Sequence, residues 1–209
     1  MAYSMPEYDE ISDWYAGARS SDAGVPDVAA FAGPLAAGAK VLDLGCGNGV
    51  PISQILVRSG FEVFGIDNSR EMIARFRENC PSTHAQCATI QSSDFFNTMF
   101  DAVVAWGLLL HLTPADQEQA ISKVSRVLNS GGKFLLTAGA QEGTAESRMN
   151  GVGFRYVSLE AVKYRTLLEE QGFDVLDEHS DEWENYVYVV QRRPAEERRR
   201  ARTGDSTQQ

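Results

Sequence analysis

Short apolar runs rich in β-branched and aromatic residues recur at residues 41–44, 61–66, 84–88, 102–106 and 133–137, and again at 173–176 and 186–191. Each has the length and composition of a strand. Between them the hydrophobic period lengthens to that of a helix. Residues 114–128 place Ile121, Val124, Val127 and Leu128 on one helical face. The ends agree: Thr113 is a capping residue, Pro114 suits the first turn, Asp116 sits near the positive end, and Gly131-Gly132 stops the run. A second helix is predicted between the cap Ser158 and Gly172, and a third follows Asn68-Ser69 over residues 70–78, before Pro81. Strands alternating with helices need crossover connections, so the predicted fold is α/β: a doubly wound, mostly parallel seven-stranded sheet with helices on both faces. The last two runs are joined by a short polar stretch without a helix signal, which predicts antiparallel pairing and a reversed last strand.

Composition sets the scale of this picture. A chain of 209 residues with 43% hydrophobic residues buries one substantial core, so one domain is expected. The net charge is -10, although six of the 19 basic residues lie in the last 18 positions; the body is therefore more acidic than the whole. Such a body does not suit phosphate backbones, which need clustered Lys and Arg, and no nucleic-acid partner is expected. The basic tail, residues 192–209, contains a Glu pair and no aromatics and reads as a flexible solvated segment. Cys46, Cys80 and Cys87 are odd in number and lack zinc-type spacing, so a reducing compartment and no metal are expected. The N-terminus has no basic lead or apolar run, and no stretch is apolar for long enough to span a bilayer, which predicts a cytoplasmic protein without a membrane partner.

The strongest chemical signal is VLDLGCGNG at 41–49, a strand that exits into a glycine-rich loop and then a helical run. Gly45, Gly47 and Gly49 permit a sharp turn and let backbone N–H groups approach a ligand at the positive end of a helix, so a nucleotide-type cofactor is implied. The dinucleotide fingerprint wants its third glycine where this chain has Val50, and it has no use for Asp43, so a nicotinamide oxidoreductase is disfavoured. A second acid, Asp67, closes the next strand, where a carboxylate lies beside the first loop and can accept both ribose hydroxyls of an adenosine.

Taken in order, VLDLGCGNG, then GIDNS with Met72, then FDAVVAWGLLLHL resemble the Rossmann-like (class I) S-adenosylmethionine-dependent methyltransferases of small-molecule type, over residues 40–191. The resemblance implies S-adenosylmethionine as cofactor and S-adenosylhomocysteine as product. It implies that Gly45, Cys46, Gly47 and the neighbouring backbone of Asn48 and Gly49 hold the methionine part, with Asp43 bracing the loop, Asp67 on the ribose, and Asn68 and Met72 beside the adenine. The family's adenine-binding acid after the third strand is missing here. Counting back from Phe100 puts Thr89 and Ile90 in that place rather than Asp94, so the Ile90 N–H would act with Thr89 or Gln91. The segment 1–39 resembles the family's helical lid, in which Tyr15 would line the methyl side and Arg19 would pair with the cofactor carboxylate.

Methyl transfer asks mainly for positioning and exclusion of water, plus a base if the nucleophile arrives protonated. His111 is the base candidate, because the fourth strand ends near Trp106 and the residues after it fall at the carboxyl edge of the sheet, beside the cofactor. Its alternative is a packed ring among Leu108, Leu109, Leu110 and Leu112. His84 and His179 read as solvated. Glu142, Arg148, Arg155 and Tyr156 belong to a segment, 138–157, expected to overhang the pocket. Trp106-Gly-Leu-Leu stands where amide- and base-methylating relatives carry Asn/Asp-Pro-Pro-Tyr, which favours a small-molecule acceptor with O, N, C or S as nucleophile, on a monomer or homodimer. A peptide acceptor and a non-catalytic cofactor-binding regulator are the alternatives.

Overall fold

The computed structural model describes residues 6–18 and 22–194. The basic tail from residue 195 onward lies outside the described residues, as does Arg19. The elements run α1 (Pro6–Ala18), α2 (Val25–Ala32), β1 (Lys40–Leu44), α3 (Ile52–Arg58), β2 (Glu62–Asp67), α4 (Arg70–Asn79), β3 (His84–Cys87), β4 (Phe100–Ala105), α5 (Pro114–Val127) and β5 (Leu128–Ala138). They continue with β6 (Gly143–Met149), β7 (Val152–Ser158), α6 (Ala161–Glu170), β8 (Phe173–Ser180) and β9 (Tyr186–Arg192).

The main sheet has the order β3-β2-β1-β4-β5-β9-β8. β9 is antiparallel to both neighbours and the other pairs are parallel, so the seven-stranded sheet and its reversed last strand are as the sequence predicts. Strand periodicity divides the core in two. Leu42, Leu44, Phe64 and Ile66 join Ile121 and Val124 of α5 and Tyr164 of α6 in one layer. Val41, Val63, Ala102 and Val104 join Val28, Ile52 and Leu56 of α2 and α3 in the other. Both faces are covered, as a parallel sheet requires.

Boundaries differ from the sequence reading where tertiary contacts decide them. Thr113 caps α5 by accepting from Asp116 N, but the helix ends at Val127, and Leu128 already pairs with Phe100. Gly131 and Gly132 therefore lie inside β5, where a Cβ on Gly132 would come within 2.9 Å of the Asn129 carbonyl. Ser158 is not the cap of α6: it ends β7, and Glu160 stands at the N-cap. The hairpin β6–β7 is absent from the predicted strands because β6, GTAESRM, is exposed almost throughout and shows no apolar alternation.

That hairpin is held by a buried polar network. The Tyr164 hydroxyl donates to Gln117 Oε1 (2.6 Å), and Gln117 Nε2 donates to the carbonyls of Leu112 (3.1 Å) and Val157 (2.9 Å). Gln117 is fully buried, so every unmade bond there would cost about 1–3 kcal/mol. Tyr164→Phe leaves Gln117 Oε1 without this donor and is expected to lower stability by about 1–2 kcal/mol in urea unfolding; an unchanged midpoint would refute the network's structural role.

Candidate active site

β1 delivers Asp43 and the loop 45–49 to the carboxyl edge of the sheet. The Gly45 and Cys46 amides donate to the Ile66 carbonyl (2.8 and 3.1 Å), turning the loop back over β2. Gly47, at φ 53, has open space where a Cβ would stand. Asp67 binds two elements at once: one oxygen accepts from Gly47 N (2.9 Å) and the other from Ser69 N (2.9 Å). Burial pushes this carboxyl up, while the amides of Ser69, Gly47 and Asn68 pull it down. Asp43 is 2% exposed and accepts from Ser53 Oγ (2.6 Å), which ties the strand end to the first turn of α3.

Thirteen of the expected residues line one cavity of about 260 Å³. Asp43, Gly45, Cys46, Gly47 and Asn48 come from the first loop; Asp67, Asn68 and Met72 from the end of β2 and the start of α4. Thr89 and Ile90 follow β3, Trp106 and His111 follow β4, and Tyr15 comes from α1. Gly49 does not line the cavity. A Cβ there would meet the Phe76 ring at 2.9 Å and Cys80 Sγ at 3.0 Å, so its absence serves packing beneath the loop.

The segment after β3 brings Thr89, Ile90 and Gln91 to the cavity. Asp94 turns away, accepting from Phe96 N (3.0 Å) and Gln86 Nε2 (3.0 Å). Thr89 and Gln91 bond Ser92 and Asp116. Lys123 on α5, missed by sequence reasoning, donates Nζ to the carbonyls of Ile90 (2.6 Å), Gln91 (3.2 Å) and Ser93 (3.0 Å) and so fixes this wall.

His111 sits in a short 3-10 turn, Leu109–His111, 8% exposed, with Nε2 3.1 Å from the Tyr8 hydroxyl. Its ring is flanked by Tyr8, Phe154 and Tyr156 at centroid distances of 5.5, 6.0 and 4.9 Å. Burial lowers its pKa to about 4, so the imidazole is neutral at physiological pH. Nδ1 is buried with no hydrogen-bond partner among the described residues. The overhanging segment therefore contributes Tyr156 and Met149 to the cavity wall, whereas Glu142, Arg148 and Arg155 are exposed and outside it. α1 roofs the same space: Asp9 accepts from Ser69 Oγ (2.5 Å) and Glu71 N (3.2 Å), and Asp13 pairs with Arg75.

Residues 41–132 match the family described as Methyltransferase domain. The matched stretch runs from β1 into β5. An uncharacterised methyltransferase of Bacillus cytotoxicus is 37% identical over 102 residues, 46% of this chain and 45% of its own length. The chain thus spans about half the length of the curated relatives it matches. The CcbJ methyltransferase of Streptomyces caelestis shares the fold at a TM-score of 0.73, with 18% identity over 90% of this chain and 98% of its own. So does a Burkholderia thailandensis 1,6-didemethyltoxoflavin-N1-methyltransferase, solved with 1,6-didemethyltoxoflavin and S-adenosylhomocysteine bound (TM-score 0.69, 18% identity, 90% and 87% coverage).

Outside the cavity, the structure corrects one reading. His179 is not simply solvated: Nε2 lies 2.8 Å from Asp27 on α2 and Nδ1 2.9 Å from Asp177, and the Asp27 hydrogen bond raises its pKa. His84 is exposed, as expected, and stacks on Phe64. A raised histidine stabilises the fold fully below its unfolded pKa of about 6.5, and the benefit is lost as pH rises through the folded value. Asp27→Asn is therefore expected to lower Tm at pH 6 by more than at pH 9. A deficit that grows with pH would contradict the His179 staple. Among the described residues, no helix is long and apolar enough to cross a membrane, and no group of three His, Cys, Asp or Glu side chains is placed to hold a metal.

Proposed function

We propose that this chain binds S-adenosylmethionine and transfers its methyl group to a small molecule. The observation that carries the reading is the joint between Gly47 and Asp67, in which the acid of the second strand holds the glycine loop open toward the cavity. Asp67 accepts from Gly47 N on one oxygen and from Ser69 N on the other, and the carboxylate keeps lone-pair capacity for a ribose hydroxyl. Gly45, Cys46, Gly47 and Asn48 would receive the methionine part, and the slot between Met72 and Ile90, bordered by Asn68 and Thr89, would take the adenine.

When bound, the cofactor supplies an activated methyl on a sulfonium, so the protein's task is to align a nucleophile and exclude water. Tyr8, Tyr15 and Tyr156 do the excluding, brought over the sheet edge by α1 and the hairpin. Segment 1–39 acts in this reading as a lid on the core 40–191. The expected outcome of calorimetric titration is S-adenosylhomocysteine binding with a Kd on the order of micromolar, about -8 kcal/mol, and no binding of reduced nicotinamide dinucleotide. Binding of the dinucleotide alone would overturn the proposal.

A further inference from the structure

The wall after β3 offers the cavity no side-chain carboxylate: Ala88, Thr89, Ile90 and Gln91 line it, and Asp94 turns away. Its side chains are largely spent on each other. The Thr89 amide donates to Ser92 Oγ (3.1 Å), the two hydroxyls lie 2.9 Å apart, and Ser92 N donates back to Thr89 Oγ1 (3.1 Å). Gln91 spends Nε2 on Asp116 of α5 (2.7 Å). The main chain differs, because the amides of Ile90 and Gln91 donate to no partner among the described residues.

Lys123 decides which way that main chain faces. An ammonium has three donors, and Lys123 gives one each to the carbonyls of Ile90 (2.6 Å), Gln91 (3.2 Å) and Ser93 (3.0 Å). Its Nζ stands 5.1 Å from the centre of the Phe95 ring, outside the cavity lining. The peptide between Ile90 and Gln91 is trans, so its C=O and N–H leave opposite edges of one plane. Drawing the Ile90 carbonyl toward α5 therefore turns the Gln91 N–H the other way, and Gln91 lines the cavity. Resting on the cofactor reading above, we propose that Lys123 is a positioning residue for the purine: by holding three carbonyls on the α5 side it keeps the Ile90 and Gln91 amides presented to the cavity, as the donors that read N1 of adenine.

An amide N–H matches an unprotonated ring nitrogen, and a carbonyl in the same place repels it. Without the ammonium, three carbonyls lose their donor together and the Ile90–Gln91 plane is released; turned over, it would present an oxygen to N1. A lysine that only braced the fold would, on removal, weaken every ligand of the cavity alike. A lysine that sets the amides weakens a purine with N1 and spares one without it, which is a coupling between one side chain and one ligand atom.

The test is calorimetric titration of the full chain with S-adenosylhomocysteine and with its 1-deaza analogue, in which C–H replaces N1. The unaltered protein is expected to bind the analogue at least about tenfold more weakly than the parent. Lys123→Met is expected to weaken the parent by about tenfold and the analogue by no more than about threefold, so the ratio between them collapses. Should Lys123→Met not fold, Lys123→Gln, which keeps a donor for one carbonyl, is expected to show the same collapse. Lys123→Arg, which keeps cationic donors, is expected to retain most of the ratio. A ratio below about threefold in the unaltered protein, or a tenfold ratio that survives loss of the ammonium, would overturn the inference. No binding of S-adenosylhomocysteine by the unaltered protein would instead overturn the cofactor reading on which it rests.

Discussion

Asp67→Asn is expected to weaken S-adenosylhomocysteine binding by about a hundredfold, roughly 3 kcal/mol, the loss that follows when charge-assisted bonds to a ligand are replaced by a neutral amide. The effect has two sources. The ribose would lose an ionised acceptor, and an amide NH2 would face either Gly47 N or Ser69 N, each of which now donates to a carboxylate oxygen at 2.9 Å. The glycine loop and the start of α4 would then part from each other. Calorimetry on folded protein, checked by far-ultraviolet circular dichroism, measures this; a change smaller than about threefold would show that Asp67 holds the loop but no ligand.

Phe76→Ala acts on stability instead, with an expected loss of about 3–5 kcal/mol and a fall in Tm of roughly 10 °C. Phe76 is fully buried on α4, and its ring fills the space that missing side chains leave. A Cβ on Gly65 would stand 2.5 Å from it, and one on Gly49 2.9 Å. The ring thus supports the central part of β2 and the underside of the glycine loop together. Removing it leaves a cavity under the loop, so cofactor affinity is expected to fall along with Tm, whereas Phe76→Leu should keep most of both. A Phe76→Ala protein with unchanged urea midpoint would contradict this packing account.

These two residues differ in how readable they were. Asp67 announces itself, because an acid at the end of a strand that follows a glycine loop has a local chemical meaning. Phe76 is one aromatic on an amphipathic helix, and only the close approach of Gly49 and Gly65 gives it its function. Gly49 shows the same limit from the other side: grouped with Gly45 and Gly47 by the motif, it faces Phe76 and Cys80 rather than the cavity.

The overhang was legible as a segment but not as a structure. β6 is polar on both faces, and its order comes from pairing with β7 along seven positions and from the Gln117–Tyr164 network below Val157. Tyr8 is more than 100 positions away from His111 in the chain yet bonds its ring, and Lys123 reaches across to the carbonyls after β3. No local period encodes such contacts.

The sequence by itself determined the sheet, its reversed last strand, the glycine loop and the two acids that frame it, because periodicity, turn chemistry and cap residues act over a few neighbouring positions. Only the tertiary structure decided which glycine faces the cavity, how the hairpin and α1 close over it, and that His111 is buried, neutral and bonded to Tyr8. Burial and desolvation depend on what arrives from elsewhere in the chain, so the physical state of a side chain is settled only when its neighbours are in place.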